Sequence, residues 1–194
     1  MRGVAQDKSL KICSFLRAGH VKLNFTNAHD CGHLRKFNNL EVGYMNSQRT
    51  LTIDDFNIEE AIYEFQVQET HLDTFGHMNN ATYLTIFEQA RWDMITKNGW
   101  GMDRIMREKK GPVVLDINIT FKSELRLRQM VKIRSKATSF VNSKVLVYEQ
   151  EMFDDSGKVY TKFKMTAGLF DLKERKLMGH DPDWLKAVGL TLKA

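Results

Sequence analysis

The chain has 194 residues, 42% of them apolar, and a net charge of +5. That length suits one domain with an ordinary core and room for an additional arm. No run approaches the ~20 apolar residues a membrane span needs, and Ser9–Phe15, interrupted by Lys11, is too short for the apolar part of a secretory signal. Stable membrane insertion is therefore not expected, and the expected compartment is the cytoplasm.

Residues 1–60 read as a poorly patterned N-terminal extension. Within residues 1–44, Arg2, Lys8, Lys11, Arg17, Lys22, Arg35 and Lys36 face only Asp7, Asp30 and Glu41. Most of the positive charge thus sits in one terminal segment without any nucleic-acid reader motif, so no nucleic acid is expected as a partner. Cys13 and Cys31 make no disulfide framework. His29-Asp30-Cys31-Gly32-His33, with His20 or Cys13, holds metal-ligating atoms, but the spacing matches no zinc pattern and no metal is expected. A coherent pattern begins soon after Met45, which makes that residue a candidate native start.

Residues 61–194 read as one domain. Tyr63, Phe65 and Val67 alternate with Glu64, Gln66 and Gln68, a half-buried strand. The polar, turn-rich segment Asp73–Asn80 follows. Tyr83, Leu84, Phe87, Ala90, Met94 and Ile95 then recur at three- and four-residue steps, an amphipathic helix. Asn79 or Asn80 can cap its start, and Asn98-Gly99 ends it. A short second helix is expected over residues 102–109. Four strand-like runs come next. Leu115, Ile117, Ile119 and Phe121 alternate with polar residues, as do Val131, Ile133, Ser135 and Ala137; Lys144–Phe153 is the third. In the fourth, Val159, Thr161, Phe163, Met165, Ala167 and Leu169 share a face. Asp181-Pro182 opens a last short helix, with Pro182 preorganised at its first position.

Tight turns between the late strands predict antiparallel hairpins. A helix of roughly 19 residues, about 28 Å long, is buried if the strands curve around it. The expected fold is α+β, a five-stranded antiparallel sheet wrapped around one long central helix.

The segment Asp73-x-x-Gly76-His77-x-Asn79-Asn80-x-x-Tyr83, followed by Phe87-Glu88-x-Ala90-Arg91-Trp92, resembles the 4-hydroxybenzoyl-CoA thioesterase family of hotdog-fold proteins, and within it the bacterial long-chain acyl-CoA thioesterases. The resemblance covers residues 62–172, strongly at this loop and helix and by pattern alone along the later strands. It implies a hotdog thioesterase domain over 61–194, with Asp73 as the catalytic carboxylate. It also implies a site completed at a subunit interface. Family members often carry a small-acidic pair at the turn where this chain has Arg128-Gln129, which puts the usual turn geometry in doubt.

The residues themselves make chemical sense of that assignment. A helix N-terminus offers free N–H donors and the positive end of a dipole, suited to a developing oxyanion. A carboxylate just ahead of it can attack a thioester carbonyl or activate water, and the sequence leaves both routes open. No cofactor is required. Each residue also has a plainer role. Asp73 could serve only the turn. Gly76 permits a special backbone conformation, and its N–H or that of His77 could face the carbonyl. His77 could orient Asp73 or be a structural histidine. Asn79 and Asn80 are caps first and substrate contacts second, and Tyr83 lines the acyl pocket or the core. Glu88 and Arg91 are expected to pair on the helix surface. The coenzyme phosphates call for basic groups, and Lys122, Arg126, Arg128, Lys132, Arg134 and Lys136 form the available cluster, with Lys122 and Arg126 the substrate-binding candidates. Alternation along a solvated strand explains half of that set.

The expected substrate is a fatty or related acyl-CoA, hydrolysed to free acid and CoA. A hotdog enoyl-CoA hydratase or dehydratase is the alternative enzyme. Hydratases of this fold set a His five residues after the Asp, whereas Asp73 and His77 are four apart. A non-catalytic acyl-CoA binding protein is the alternative without chemistry. Open sheet edges predict a homodimer or homotetramer.

Overall fold

The computed structural model describes residues 51–193. The extension up to residue 50, with both cysteines, the His29–His33 cluster and Met45, lies outside the described residues. After a 3₁₀ turn at Ile53–Asp55 come β1 (Phe56–Ile58) and β2 (Ala61–Gln66), and then a second such turn at Glu69–His71. The long helix α1 (Asn80–Lys97) and the short α2 (Met102–Glu108) follow. The remaining elements are β3 (Lys110–Phe121), β4 (Met130–Phe140), β5 (Val145–Phe153), β6 (Val159–Asp171), β7 (Lys176–Leu177), α3 (Pro182–Ala187) and β8 (Leu190–Leu192).

The main sheet runs β2-β4-β5-β6-β3, antiparallel throughout, with β7 as a two-residue addition on β6. Five long strands curl around α1, the hotdog arrangement expected from the sequence. Alternation sets the two faces. Val131, Ile133, Ser135 and Ala137 on β4 point inward, as do Phe163, Met165, Ala167 and Leu169 on β6. Their outward neighbours form a ladder of ion pairs across strands: Lys132 with Glu64 (3.3 Å), Arg134 with Glu151 (3.3 Å), Lys162 with Glu151 (2.8 Å) and Lys164 with Glu149 (3.3 Å).

The helix buries Tyr83, Ile86, Phe87, Ala90, Met94 and Ile95. Leu84, expected on that stripe, is instead exposed, and Ile86 takes its place. Phe87 stacks on Phe163 at 4.9 Å between ring centroids. Asn79 caps the start, its side chain accepting the Ala81 N–H at 2.9 Å. Gly99 ends the helix in the left-handed region (φ +86°).

Two regions depart from simple periodicity. β3 begins earlier than its alternation suggests and carries a bulge between Val114 and Asp116. Leu115, Ile117 and Phe121, expected to be half-buried, are 47%, 43% and 48% exposed. Register sets Ile117, Ile119 and Phe121 beside the buried Met165, Phe163 and Thr161. They therefore lie on the core side of the sheet, but at its free edge, where this chain covers them only in part. Upstream of Ala61, β1 pairs with β8, and Phe56 is buried. Three residues are too few to show a period, so this strand is silent in the sequence.

Candidate active site

The segment between Leu72 and Met78 is a tight loop whose ends bridge one another. The Asp73 N–H donates to the His77 carbonyl at 2.8 Å, and the Gly76 N–H donates to the Asp73 carbonyl at 3.1 Å. Asp73 Oδ1 accepts the N–H groups of Phe75 (2.8 Å) and His77 (3.3 Å). This is the short-side-chain turn that aspartate favours. It leaves Oδ2 with no hydrogen bond among the described residues. Gly76 has φ +77°, and an added Cβ there would meet no neighbour. Glycine is thus required by the backbone conformation rather than by space. Both N–H groups that the sequence offers for a substrate carbonyl, those of Gly76 and His77, are occupied within the turn.

The loop runs directly into α1. At the helix start, the Ala81 N–H is taken by the Asn79 and Asn80 side chains, each at 2.9 Å. The N–H groups of Thr82 and Tyr83 turn back to the Asn79 carbonyl. Asn80 N–H alone in this first turn has no partner among the described residues. A free first-turn donor carries the partial positive charge of the helix end.

The β3–β4 connection flanks the loop. The Met78 N–H donates to the Leu125 carbonyl at 2.8 Å, and His77 bridges Arg126. His77 Nε2 lies 3.0 Å from Glu124 Oε2. The Arg126 side chain grips the same carboxylate, Nε to Oε1 at 3.0 Å, and holds the Glu124 carboxyl below the usual carboxylate range. Tyr83, buried beneath the loop, packs edge-on against Phe121 at 5.0 Å. Burial pushes its phenol up.

The expected site residues thus divide. Asp73, Gly76, His77, Asn79, Asn80 and Tyr83 come together at the helix start, and Arg126 adjoins them. Arg126 is committed to Glu124, however, and Arg128 to Glu69. Lys122 is exposed at the end of β3 and has no ion-pair partner among the described residues. Lys132, Arg134 and Lys136 belong to the solvated ladder, Lys136 pairing with Glu60 at 3.5 Å. Arg128 in the turn has φ +64°, a left-handed conformation uncommon for a residue other than glycine. Glu88 and Arg91 do not form the expected surface pair. Arg91 instead reaches inward and donates to Gln150 Oε1 at 2.7 Å, and Gln150 in turn donates to Ser135 Oγ and the Phe87 carbonyl.

Glu124 was not among the sequence candidates. Its contact with His77 joins residues far apart in the chain, and no local period marks it. Among the described residues, no group of three or more His, Cys, Asp or Glu side chains is placed to hold a metal ion.

The family model of the thioesterase-like superfamily matches residues 67–188. The long-chain acyl-CoA thioesterase FadM of Escherichia coli K12 is 27% identical over 115 residues, covering 59% of this chain and 86% of that protein. The structure of a probable thioesterase, YbaW, from Escherichia coli superposes with a TM-score of 0.59 at 25% identity, over 66% of this chain and 96% of the other. A Staphylococcus aureus protein solved in complex with CoA shares the fold, with a TM-score of 0.62 at 14% identity over 68% of this chain and 82% of that one.

Proposed function

This chain belongs to the thioesterase-like superfamily and is a thioester hydrolase, and we propose that it hydrolyses fatty acyl-CoA to free acid and CoA, with Asp73 as nucleophile or general base. The observation that carries the reading is the state of the Asp73 carboxylate. One oxygen is fixed by two main-chain N–H groups, so the other is held in a set direction beside the N-terminus of α1. A carbonyl oxygen placed at the Asn80 N–H would have its developing charge stabilised there. The thioester carbon could then be reached by Oδ2 itself or by a water that Oδ2 deprotonates. The C–S bond breaks and the thiolate leaves as CoA; on the nucleophilic route water then hydrolyses the aspartyl–acyl anhydride to the free acid and regenerates Asp73. Likeness to an acyl-CoA thioesterase supports this choice of substrate.

The active form in this proposal is a homodimer, or a homotetramer built from such dimers. The apolar edge of β3 supports it, because exposed Leu115, Ile117 and Phe121 on an open strand are suited to pairing across a two-fold axis. Phe121 touches Tyr83, so the paired edge would border the site. Lys122, exposed at the same strand end, would meet coenzyme phosphate.

The test is thiol release from a panel of acyl-CoAs of different chain length, by the wild type and by Asp73→Asn. Asparagine keeps the shape and the turn but removes the charge. Turnover should fall by roughly 10²-fold or more, with substrate binding little changed. A fully active Asp73→Asn enzyme would overturn the catalytic assignment. Enoyl hydration without thiol release would replace hydrolysis by the hydratase reading.

A further inference from the structure

We propose that Glu124 is a positioning residue that sets the aim of the Asp73 carboxylate through His77. The inference rests on Asp73 being the catalytic carboxylate. His77 grips Asp73 twice through its main chain: its carbonyl accepts the Asp73 N–H at 2.8 Å, and its N–H donates to Asp73 Oδ1 at 3.3 Å. Whatever fixes His77 therefore fixes both the backbone and the carboxylate of Asp73. The side chain of His77 is fixed from outside the loop, by Glu124 Oε2 at 3.0 Å from Nε2.

Glu124 is itself held. The Arg126 guanidinium grips its other oxygen, and the Arg126 N–H donates to Gln129 Oε1 at 3.1 Å. The Gln129 amide donates to the Tyr160 hydroxyl, which donates to Asp154 Oδ2 at 2.8 Å. A brace thus runs from the β5–β6 turn, through the β3–β4 connection, to the catalytic loop. A loop of this kind, with glycine at a positive φ and Phe75 83% exposed, has little core packing to hold it. A hydrogen-bonded strut from a neighbouring segment supplies the missing restraint. Glu124 contacts neither the reacting atoms nor Asp73, so it acts through geometry.

The experiment compares Glu124→Ala, Glu124→Gln, Asp73→Asn and the Asp73→Asn/Glu124→Ala double variant in the full chain, by steady-state thiol release and by thermal melting. Misplacing a reacting group by ~1 Å can cost up to 10²-fold in rate. Glu124→Ala is expected to lose ~10- to 100-fold in kcat with KM within about threefold of the wild type. Glu124→Gln, which keeps an acceptor for His77, is expected to recover much of that loss. The double variant is expected to be no slower than Asp73→Asn, since a residue acting through Asp73 has nothing left to position. An unchanged kcat in Glu124→Ala beside a crippled Asp73→Asn would overturn the proposal while leaving the catalytic reading intact. A loss confined to KM, or losses that add in the double variant, would also overturn it. A fully active Asp73→Asn would bring down the underlying reading instead. Should Glu124→Ala melt early, Glu124→Gln decides: wild-type kcat with an ordered fold supports the acceptor role, and a loss as deep as that of alanine overturns it.

Discussion

The loop at residues 73–80 and the edge strand β3 border the same site and are built on opposite terms. In the loop, nearly every polar group is matched inside the chain: Asp73 to Phe75 and His77, Met78 to Leu125, His77 to Glu124. On β3, Leu115, Ile117 and Phe121 stand on an open edge with large apolar surface facing water. The loop is fixed by hydrogen bonds, its own and those of the β3–β4 connection; the strand leaves apolar surface open. Hydrogen bonds are directional and can be satisfied locally, whereas apolar surface is indifferent to its partner and asks only to be covered. In the proposed dimer, groups that need fixed angles are thus held within one chain, and the apolar edge is what association would cover.

That contrast can be broken from either side. The largest effect is expected from Asp73→Asn, a rate loss of roughly 10²-fold or more in a protein whose sedimentation is unchanged. Ile117→Asp attacks the strand instead. An unpaired carboxylate buried at an interface costs about 3 kcal/mol or more, which weakens association by roughly 10²-fold. Sedimentation at micromolar protein should then show monomers with thiol release much reduced, while the monomer still melts cooperatively. Unaltered assembly in this variant would remove β3 as the contact.

Gly76→Ala should act only through the loop. The residue sits at φ +77° with free space around it, so the cost is conformational, about 1 kcal/mol. It should appear as a Tm lower by a few degrees and a several-fold lower kcat.

Asp154 tests the far end of the brace by pH. Its carboxyl is held down to about 2, first by the Ser156 hydroxyl and then by Tyr160, from an ordinary value of 3.8. The folded value lies below the unfolded one, so the stabilisation is complete above 3.8 and is lost as pH falls toward about 2. The wild-type Tm should drop across that window, and Asp154→Asn should flatten the drop. The smallest effect is expected from starting the chain at Met45: Tm within a few degrees and activity retained, because residues 1–44 lack the periodic apolar pattern of a core segment. Loss of activity there would mean that the extension serves the site.

Much of this was legible beforehand because its determinants are local. The stripe from Tyr83 to Ile95, the Asn79 cap, the Gly99 stop and the Asp181-Pro182 start each depend on residues within a turn or two of one another. So does the bonding within the Asp73 turn. What escaped the sequence depends on distance along the chain. Glu124 meets His77, and Arg91 turns inward to Gln150 rather than to its neighbour Glu88, only once the sheet is closed. The burial of β3 was misjudged for a related reason. Alternation reports that a strand has an apolar face, but whether that face is covered depends on its place in the sheet. The plainer reading of the β4 charges, a solvated strand face, is the one the structure has: Lys132, Arg134 and Lys136 attend to Glu64, Glu151 and Glu60 across the strands.

The pairing of β1 with β8 has a consequence in time. Phe56 belongs to the first described strand to leave the ribosome, and its partner Leu192 to the last. Its ring can meet Phe140 once β4 has emerged, but the β1–β8 pairing itself waits until nearly the whole domain has been made. The sheet can close around α1 in the interval, since β2 to β6 are all complete by then. β1 and β8 thus form a clasp between segments made first and last, and Lys193, bonded through its backbone N–H to the Asp55 carbonyl and through its ammonium to the Asp54 carbonyl, is its catch. The two ends of the described chain meet there. A circular permutant joining them by a short linker and opened at the exposed Asp155-Ser156-Gly157 turn should fold to the same sheet, with its first and last strands no longer strangers in sequence.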